Sequence, residues 1–146
     1  MLENHHKNIA TFIHLSTFSR FVIPLGNYLG PIILWVLNKE KSEFINEHGK
    51  QAINFQLSVL LYTIVLGLIT IPFFMFNVFQ GFHFDGLQHF SFNLNRAFPL
   101  FLILGGSIGF ITVIGFLFEF VFVIIASLKA KEGELYKYPL TINFIK

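Results

Sequence analysis

One carboxylate stands inside the most apolar part of the sequence. Glu119 interrupts the run from Pro99 to Leu128 and lies ten residues before Lys129. Along a helix that separation is about 15 Å, which is near the centre of a bilayer. A carboxylate at this depth predicts either a paired polar clamp between helices or the ionisable element of a small channel or carrier. We favour the clamp, because proton and ion relays need several buried carriers. The expected hydrogen-bond donors on other segments are His14, Asn54, Gln56 and Tyr62.

A second polar group gathers where a surface helix is predicted to enter the apolar region. Its members are His48, Lys50, Gln51, Asn54 and Gln56. Such residues at a membrane surface either bind a lipid headgroup or a partner's backbone, or they cap and crosslink helix ends. We favour crosslinking, because polar residues are common at the ends of membrane helices.

Ligation of haem or a metal by histidine is only weakly supported. His14 and His48 have no paired acid or cysteine beside them. His83, Asp85 and His89 lack the spacing of a tight ligand set. We therefore expect no metal site and no cofactor.

The composition predicts that lipid surrounds most of this chain. Of its 146 residues 54% are hydrophobic and only 12% are charged, with a mean hydropathy of +0.67. The charged fraction of a soluble domain is about 25%. A formal net charge of +2 is too small to indicate a nucleic-acid binder, and the absence of cysteine excludes a disulfide framework.

Three apolar regions predict an all-α integral membrane helical bundle in a single domain. Prolines and glycines break the first region, which predicts segments at about 9–22 and 24–37, arranged as a re-entrant hairpin or as two thin spans. The alternative is one kinked span. The other two regions predict spans at about 57–76 and 99–128, so that three to four membrane segments are expected. Gly105 and Gly109 predict close helix packing, within the chain or between copies.

Basic residues in the connections predict the orientation. Residues 38–50 contain three lysines and the part of the chain after Leu128 contains four, whereas residues 77–98 contain only Arg96. By the positive-inside rule, an amphipathic helix at about 43–56 and an extended tail at 133–146 face the cytoplasm. The Phe-rich loop 77–98 then lies partly immersed at the opposite interface. We predict a multi-pass protein of a bacterial inner membrane with a cytoplasmic C-terminus.

Several motifs carry a family resemblance. They are the HLS motif at His14–Ser16, the block from Gly30 to Ser58 and the segment from Gly133 to Ile145. The most specific parts are EHGKQAINFQ at Glu47–Gln56 and YKYPL at Tyr136–Leu140. Together they resemble a bacterial family of small uncharacterised membrane proteins that is similar to the Tic-type chloroplast inner-envelope protein import component. The resemblance implies a small helical membrane subunit, with a connection to protein translocation.

No nucleophile elbow, phosphate-binding loop, dinucleotide fingerprint or zinc-protease motif occurs, so an enzyme is not expected. The predicted function is a non-enzymatic structural or assembly component of a membrane complex, related to protein translocation through the resemblance. One alternative is a small channel or carrier that uses Glu119. Another is a lipid-binding protein that organises the membrane. The expected partners are the bilayer and either a membrane protein or further copies of the chain, and not a nucleic acid.

Overall fold

A computed structural model describes residues 3–85, 89–92 and 94–146. The chain is predominantly helical, and residues 133–146 form a tail without helix or strand. In chain order the elements are helix α1 (Asn4–Leu15), a 3₁₀ helix (Ser16–Phe21), α2 (Gly26–Asn38), a short 3₁₀ turn (Lys39–Lys41), α3 (Glu43–Gly81), strands β1 (Phe82–Asp85) and β2 (His89–Phe92), and α4 (Leu94–Glu132).

Residues 9–37 form separate helices and not one kinked helix. After the 3₁₀ helix the chain turns through Leu25, whose φ of 61° is in the left-handed region, and α2 starts at Gly26. A side chain at Gly26 would overlap with the backbone of Ser19, and one at Gly30 would overlap with Ser16. These two glycines are one helical turn apart, so they form a small-residue stripe that lets α2 lie directly against the 3₁₀ helix.

Two of the described helices are long and apolar enough to cross a membrane. The qualifying stretches are Glu43–Phe76 of α3 and Gly105–Glu132 of α4. In contrast, α1 and α2 have 12 and 13 residues, fewer than the roughly 20 that a membrane crossing needs. The amphipathic segment 43–56 and the apolar segment 57–76 are parts of one continuous helix.

The Phe-rich segment 77–98 was predicted as a loop, but most of it has regular structure. Helix α3 continues to Gly81, β1 pairs antiparallel with β2, and α4 begins at Leu94. Phenylalanine alternates with other residues in both strands, and this two-residue period favours strands over helices. The expectation of helices alone was therefore incomplete. The sequence also has an Asp-Gly turn signal at Asp85 and Gly86, but Gly86 lies outside the described residues.

The chain divides into two compact units. The first comprises Met1–Leu61 and Phe118–Lys146, and the second comprises Tyr62–Leu117. In the first unit, small apolar clusters join α1, α3, α4 and the tail; their buried members are Ala10, Ile13, Phe44, Ile45, Ala52, Phe55, Val123, Ala126, Ala130 and Tyr138.

The second unit has a different surface. Wherever its side chains are described, they are at least partly exposed, and Leu68 and Ile69 leave about 70% of their surface uncovered. Apolar surface of this extent is typical of contact with lipid or with other apolar helices.

Trp35, the single tryptophan, holds α2 against the start of α3. The Trp35 indole nitrogen donates a hydrogen bond to Asn46 Oδ1 at 3.0 Å. The indole ring occupies the space where a side chain at position 49 would lie, so only glycine fits there. Lys39 Nζ lies 5.3 Å from the centre of the same ring, within cation–π distance.

Candidate functional site

Glu119 has a charged partner in the first unit. Arg20 Nη1 donates to Glu119 Oε2 at 2.9 Å, and Arg20 Nη2 donates to Glu119 Oε1 at 2.6 Å. The Glu119 side chain is 11% exposed and that of Arg20 is 25% exposed. A two-point contact between a guanidinium and a carboxylate is the strongest form of this ion pair, and it fixes the orientation of both groups.

Two amides complete this interaction, which we call the Arg20–Glu119 network. Gln56 Nε2 donates to Glu119 Oε1 at 3.0 Å, and Gln56 Oε1 accepts from Asn27 Nδ2 at 2.9 Å and from Arg20 Nη2 at 3.4 Å. The network joins the 3₁₀ helix, α2, α3 and α4. Every charged or amide group in it faces a complementary one, which is the condition for keeping such groups in an apolar interior.

Of the donors expected for Glu119, Gln56 is in place and two others have different partners. Asn54 bonds to the tail, and His14 bonds to another histidine. Tyr62 lies in the second unit. Arg20 was not identified from the sequence as the partner. The available signal was that Arg20 is the only acidic or basic residue, histidine aside, between Lys7 and Lys39, and a buried arginine must be neutralised by a carboxylate.

His14 and His48 belong to a second buried polar group, which we call the histidine chain. The Tyr138 hydroxyl lies 2.9 Å from His14 Nδ1, and His14 Nε2 lies 2.8 Å from His48 Nδ1. His48 Nε2 is buried without a hydrogen bond of good geometry, although the backbone carbonyl of Glu134 faces the ring. The histidine chain joins α1, α3 and the tail.

We assign the proton positions in this chain from the group at its end. A backbone carbonyl only accepts, so the His48 tautomer that suits Glu134 carries its proton on Nε2. His48 Nδ1 then accepts from His14 Nε2–H, and His14 Nδ1 accepts from the Tyr138 hydroxyl. Burial raises the pKa of Tyr138 well above its ordinary value, which keeps the hydroxyl protonated and able to donate.

The tail is held on α3 through its backbone. Asn54 Nδ2 donates to the Ile145 carbonyl at 2.9 Å, and Asn54 Oδ1 accepts from the backbone N–H groups of Phe144 and Ile145 at 3.1 and 2.8 Å. One turn further along α3, Ser58 Oγ accepts from the Ile142 N–H at 2.9 Å. Asn54 therefore uses both its amide nitrogen and its amide oxygen to hold the tail.

Lys50 and Gln51 lie beside this contact on the outer part of α3. Lys50 Nζ bonds to Glu47 Oε1 at 2.7 Å and lies 4.0 Å from Glu43. The Gln51 side-chain oxygen is buried without a hydrogen-bond partner. Of the predicted polar group, therefore, Gln56 joins the Arg20–Glu119 network, His48 joins the histidine chain, Asn54 holds the tail, and Lys50 and Gln51 stand apart from both networks.

Among the residues that the structure describes, no group of three or more His, Cys, Asp or Glu side chains could hold a metal ion. The two nearest nitrogens of His14 and His48 are engaged with each other. The side chains of His83, Asp85 and His89 lie outside the described part of the structure.

Comparison with known families gives a match over nearly the whole chain. The model of the MamF/MmsF family, described as the magnetosome magnetite crystal formation protein family, matches residues 5–145. No curated protein and no solved structure matches this chain.

The predicted family was wrong. The sequence motifs were assigned to a family similar to the Tic-type import component, whereas the match over residues 5–145 is to a different family. The motifs lie in the Arg20–Glu119 network, the histidine chain and the tail contact, which are structural features of the first unit. Features of this kind report how helices pack and do not identify a translocation activity, for which the comparison gives no support.

Proposed function

Because this chain belongs to the magnetosome magnetite crystal formation protein family, we propose that it is an integral protein of the magnetosome membrane that contributes to magnetite crystal formation as a non-enzymatic structural component. Its role in crystal formation follows from the family. Its structural role is supported by one observation above all, the Arg20–Glu119 network, whose charged groups neutralise each other between helices. Glu119 is therefore a clamp and not a free proton or ion carrier.

The contacts of α1 support a re-entrant arrangement in the membrane. Lys7 Nζ donates to the Glu132 carbonyl at 3.3 Å, and Thr11 Oγ1 donates to the Ser127 carbonyl at 3.4 Å. Further along, Arg20 pairs with Glu119. The N-terminal segment therefore runs beside α4 from Glu132 to Glu119, a distance of 13 residues or about 20 Å. Helix α2 then returns to the start of α3, where Trp35 bonds to Asn46.

The N-terminal segment thus enters the membrane and leaves it on the same side, the side where α4 ends. Helices α3 and α4 cross the membrane. Lysines near the start of α3 and at the end of α4 support a cytoplasmic position for that side. By the same rule, residues 77–98, which contain only Arg96 as a basic residue, are expected on the opposite side of the membrane.

Deletion in a magnetite-forming cell tests the proposal. The deletion strain is expected to form crystals of altered size or number by electron microscopy, and the full chain is expected to restore them. Crystals indistinguishable from those of the parent strain would overturn the role in crystal formation. A flux across reconstituted vesicles that the wild type supports and Glu119→Gln abolishes would overturn the structural role in favour of a carrier.

A further inference from the structure

A polar cleft lies between α3 and the end of the tail, outside both polar networks. Its volume is about 240 Å³, and it is lined by Glu47, Lys50, Gln51, Asn54, Asn143, Ile145 and Lys146. This is somewhat smaller than the roughly 300–1,000 Å³ of sites that enclose a drug-sized ligand. The size suits a small polar group.

The walls of the cleft are fixed in place. Asn54 forms the floor and bonds to the backbone of Phe144 and Ile145, so the tail wall cannot move without breaking these hydrogen bonds. On the opposite wall, Lys50 is held by Glu47 at 2.7 Å. The cleft is thus built from positioned groups on two different parts of the chain.

The chemistry of the lining is that of a site for a polar ligand with two ends. Lys50 and Lys146 supply ammonium groups, and Glu47 supplies one carboxylate that is already engaged by Lys50. Gln51 contributes an amide whose oxygen is buried with no hydrogen-bond partner. A buried acceptor without a donor is unfavourable, and a ligand that donates a hydrogen bond removes this deficit.

The position of the cleft along α3 indicates where such a ligand comes from. The charged residues of α3 are Glu43, Glu47 and Lys50, and no charged residue occurs from Gln51 to Gly81. The cleft therefore lies where the apolar stretch begins, which is the depth of lipid headgroups if α3 crosses the membrane as proposed above.

We propose that this cleft binds the headgroup of a phospholipid whose phosphodiester is joined to a hydrogen-bond-donating end group, as in phosphatidylethanolamine and phosphatidylglycerol. The phosphate lies against the lysine ammonium groups, as in other basic headgroup sites. The amine or hydroxyl donates to Gln51 Oε1 once that side chain has rotated towards the ligand. Phosphatidylcholine has no donor at its end group, so it leaves the Gln51 oxygen unpaired.

Native mass spectrometry of the full chain in mild detergent, titrated with each of the three lipids, tests the site. The wild type is expected to retain the ethanolamine and glycerol lipids at least five-fold more strongly than the choline lipid. Lys146→Gln is expected to weaken all three by about five-fold, because one cation at a membrane surface contributes about that factor. Gln51→Met is expected to remove the preference over choline while leaving choline binding unchanged.

Lys137→Gln is the matched control, because Lys137 is an exposed tail lysine outside the cleft. Equal retention of all three lipids by the wild type, or an equal loss in Lys137→Gln and Lys146→Gln, overturns the proposal. If inorganic phosphate displaces the bound lipid as effectively as soluble glycerophosphoethanolamine does, the lipid source is overturned and the cleft is assigned to free phosphate. Selective displacement by glycerophosphoethanolamine supports the headgroup site even if the membrane orientation of α3 proves different.

Discussion

Arg20 and Glu119 form a two-point ion pair although they lie 99 positions apart in the sequence. The pair closes the N-terminal segment onto α4, and Gln56 joins the same carboxylate from α3. The Glu119 carboxylate thus joins the 3₁₀ helix and α3 to α4 in the first unit. Its apolar surroundings make the interaction stronger than at a water-exposed surface and make the loss of one partner correspondingly unfavourable.

Glu119→Gln is expected to lower the free energy of unfolding by about 2 kcal/mol. Removing one partner of a fully buried pair costs about 3–5 kcal/mol, and the partial exposure of Arg20 reduces this figure. Thermal unfolding in detergent measures the change, with the fluorescence of the single tryptophan, Trp35, as the reporter.

The matched control is Glu132→Gln, which removes a carboxylate from the exposed pair with Lys129 on the same helix. An exposed pair contributes about 0–1 kcal/mol, so little change is expected there. Combining Glu119→Gln with Arg20→Gln should cost less than the sum of the single substitutions. Additive effects would contradict the coupling of the two groups.

The sequence predicts the long apolar helices well because their signal is local. A charge-free run from Leu57 to Phe76 is sufficient to indicate a long helix, and the structure has one over Glu43–Gly81. The β1–β2 hairpin has a weaker signal, because its two-residue alternation covers only four residues in each strand and abundant phenylalanine also indicates immersion in lipid.

The partners of the polar residues could not be predicted, because they depend on contacts between distant segments. Glu119 was recognised as a paired group, but the choice of Arg20 is decided by how the 3₁₀ helix packs against α4. Likewise, the glycine stripe that carries a helix contact within the described chain consists of Gly26 and Gly30. Packing between copies at Gly105 and Gly109 stays a prediction. A side chain at either of the latter two would meet nothing within 4 Å.

Tyr138→Phe is expected to destabilise the protein by about 1–3 kcal/mol, because His14 Nδ1 loses the hydroxyl donor and remains buried. Tyr136→Phe serves as the control, since Tyr136 is only partly buried. The ¹⁵N chemical shifts of the two histidines in the wild type should show protons on Nε2 of both rings. A proton on His48 Nδ1 would contradict the proposed direction of the histidine chain.

Stability is expected to fall as the pH rises above about 10. Burial raises the pKa of Tyr138, so the unfolded chain loses this proton at a lower pH than the folded chain does. The stabilisation is fully present below the unfolded pKa of about 10 and is lost as the pH approaches the higher folded value. Unfolding curves between pH 8 and about 11 measure this slope, and Tyr138→Phe should flatten it.

Asn54→Ala is expected to release the end of the tail without unfolding the helices. The substitution removes the hydrogen bonds to Phe144 and Ile145 but leaves the Tyr138 contacts intact. Hydrogen exchange at residues 142–145 should become at least ten-fold faster, whereas exchange in α3 should change little. The control is Asn38→Ala, whose side chain bonds only locally, to Leu34 and Lys41. Unchanged protection of the tail in Asn54→Ala would show that apolar contacts alone hold it.

Gly49→Ala is expected to destabilise the protein by about 1–3 kcal/mol, even though alanine is the better helix former. A methyl group at this position would overlap with the Trp35 ring, so either α2 must shift or the indole must leave Asn46. The fluorescence maximum of Trp35 should therefore change together with the unfolding temperature.

In Gly109→Ala the new methyl group meets nothing in the chain, so the helix propensity of alanine should leave stability unchanged or raise it by up to about 1 kcal/mol. Equal stability of the Gly49 variant and the wild type would show that the Trp35 contact does not fix the return of α2.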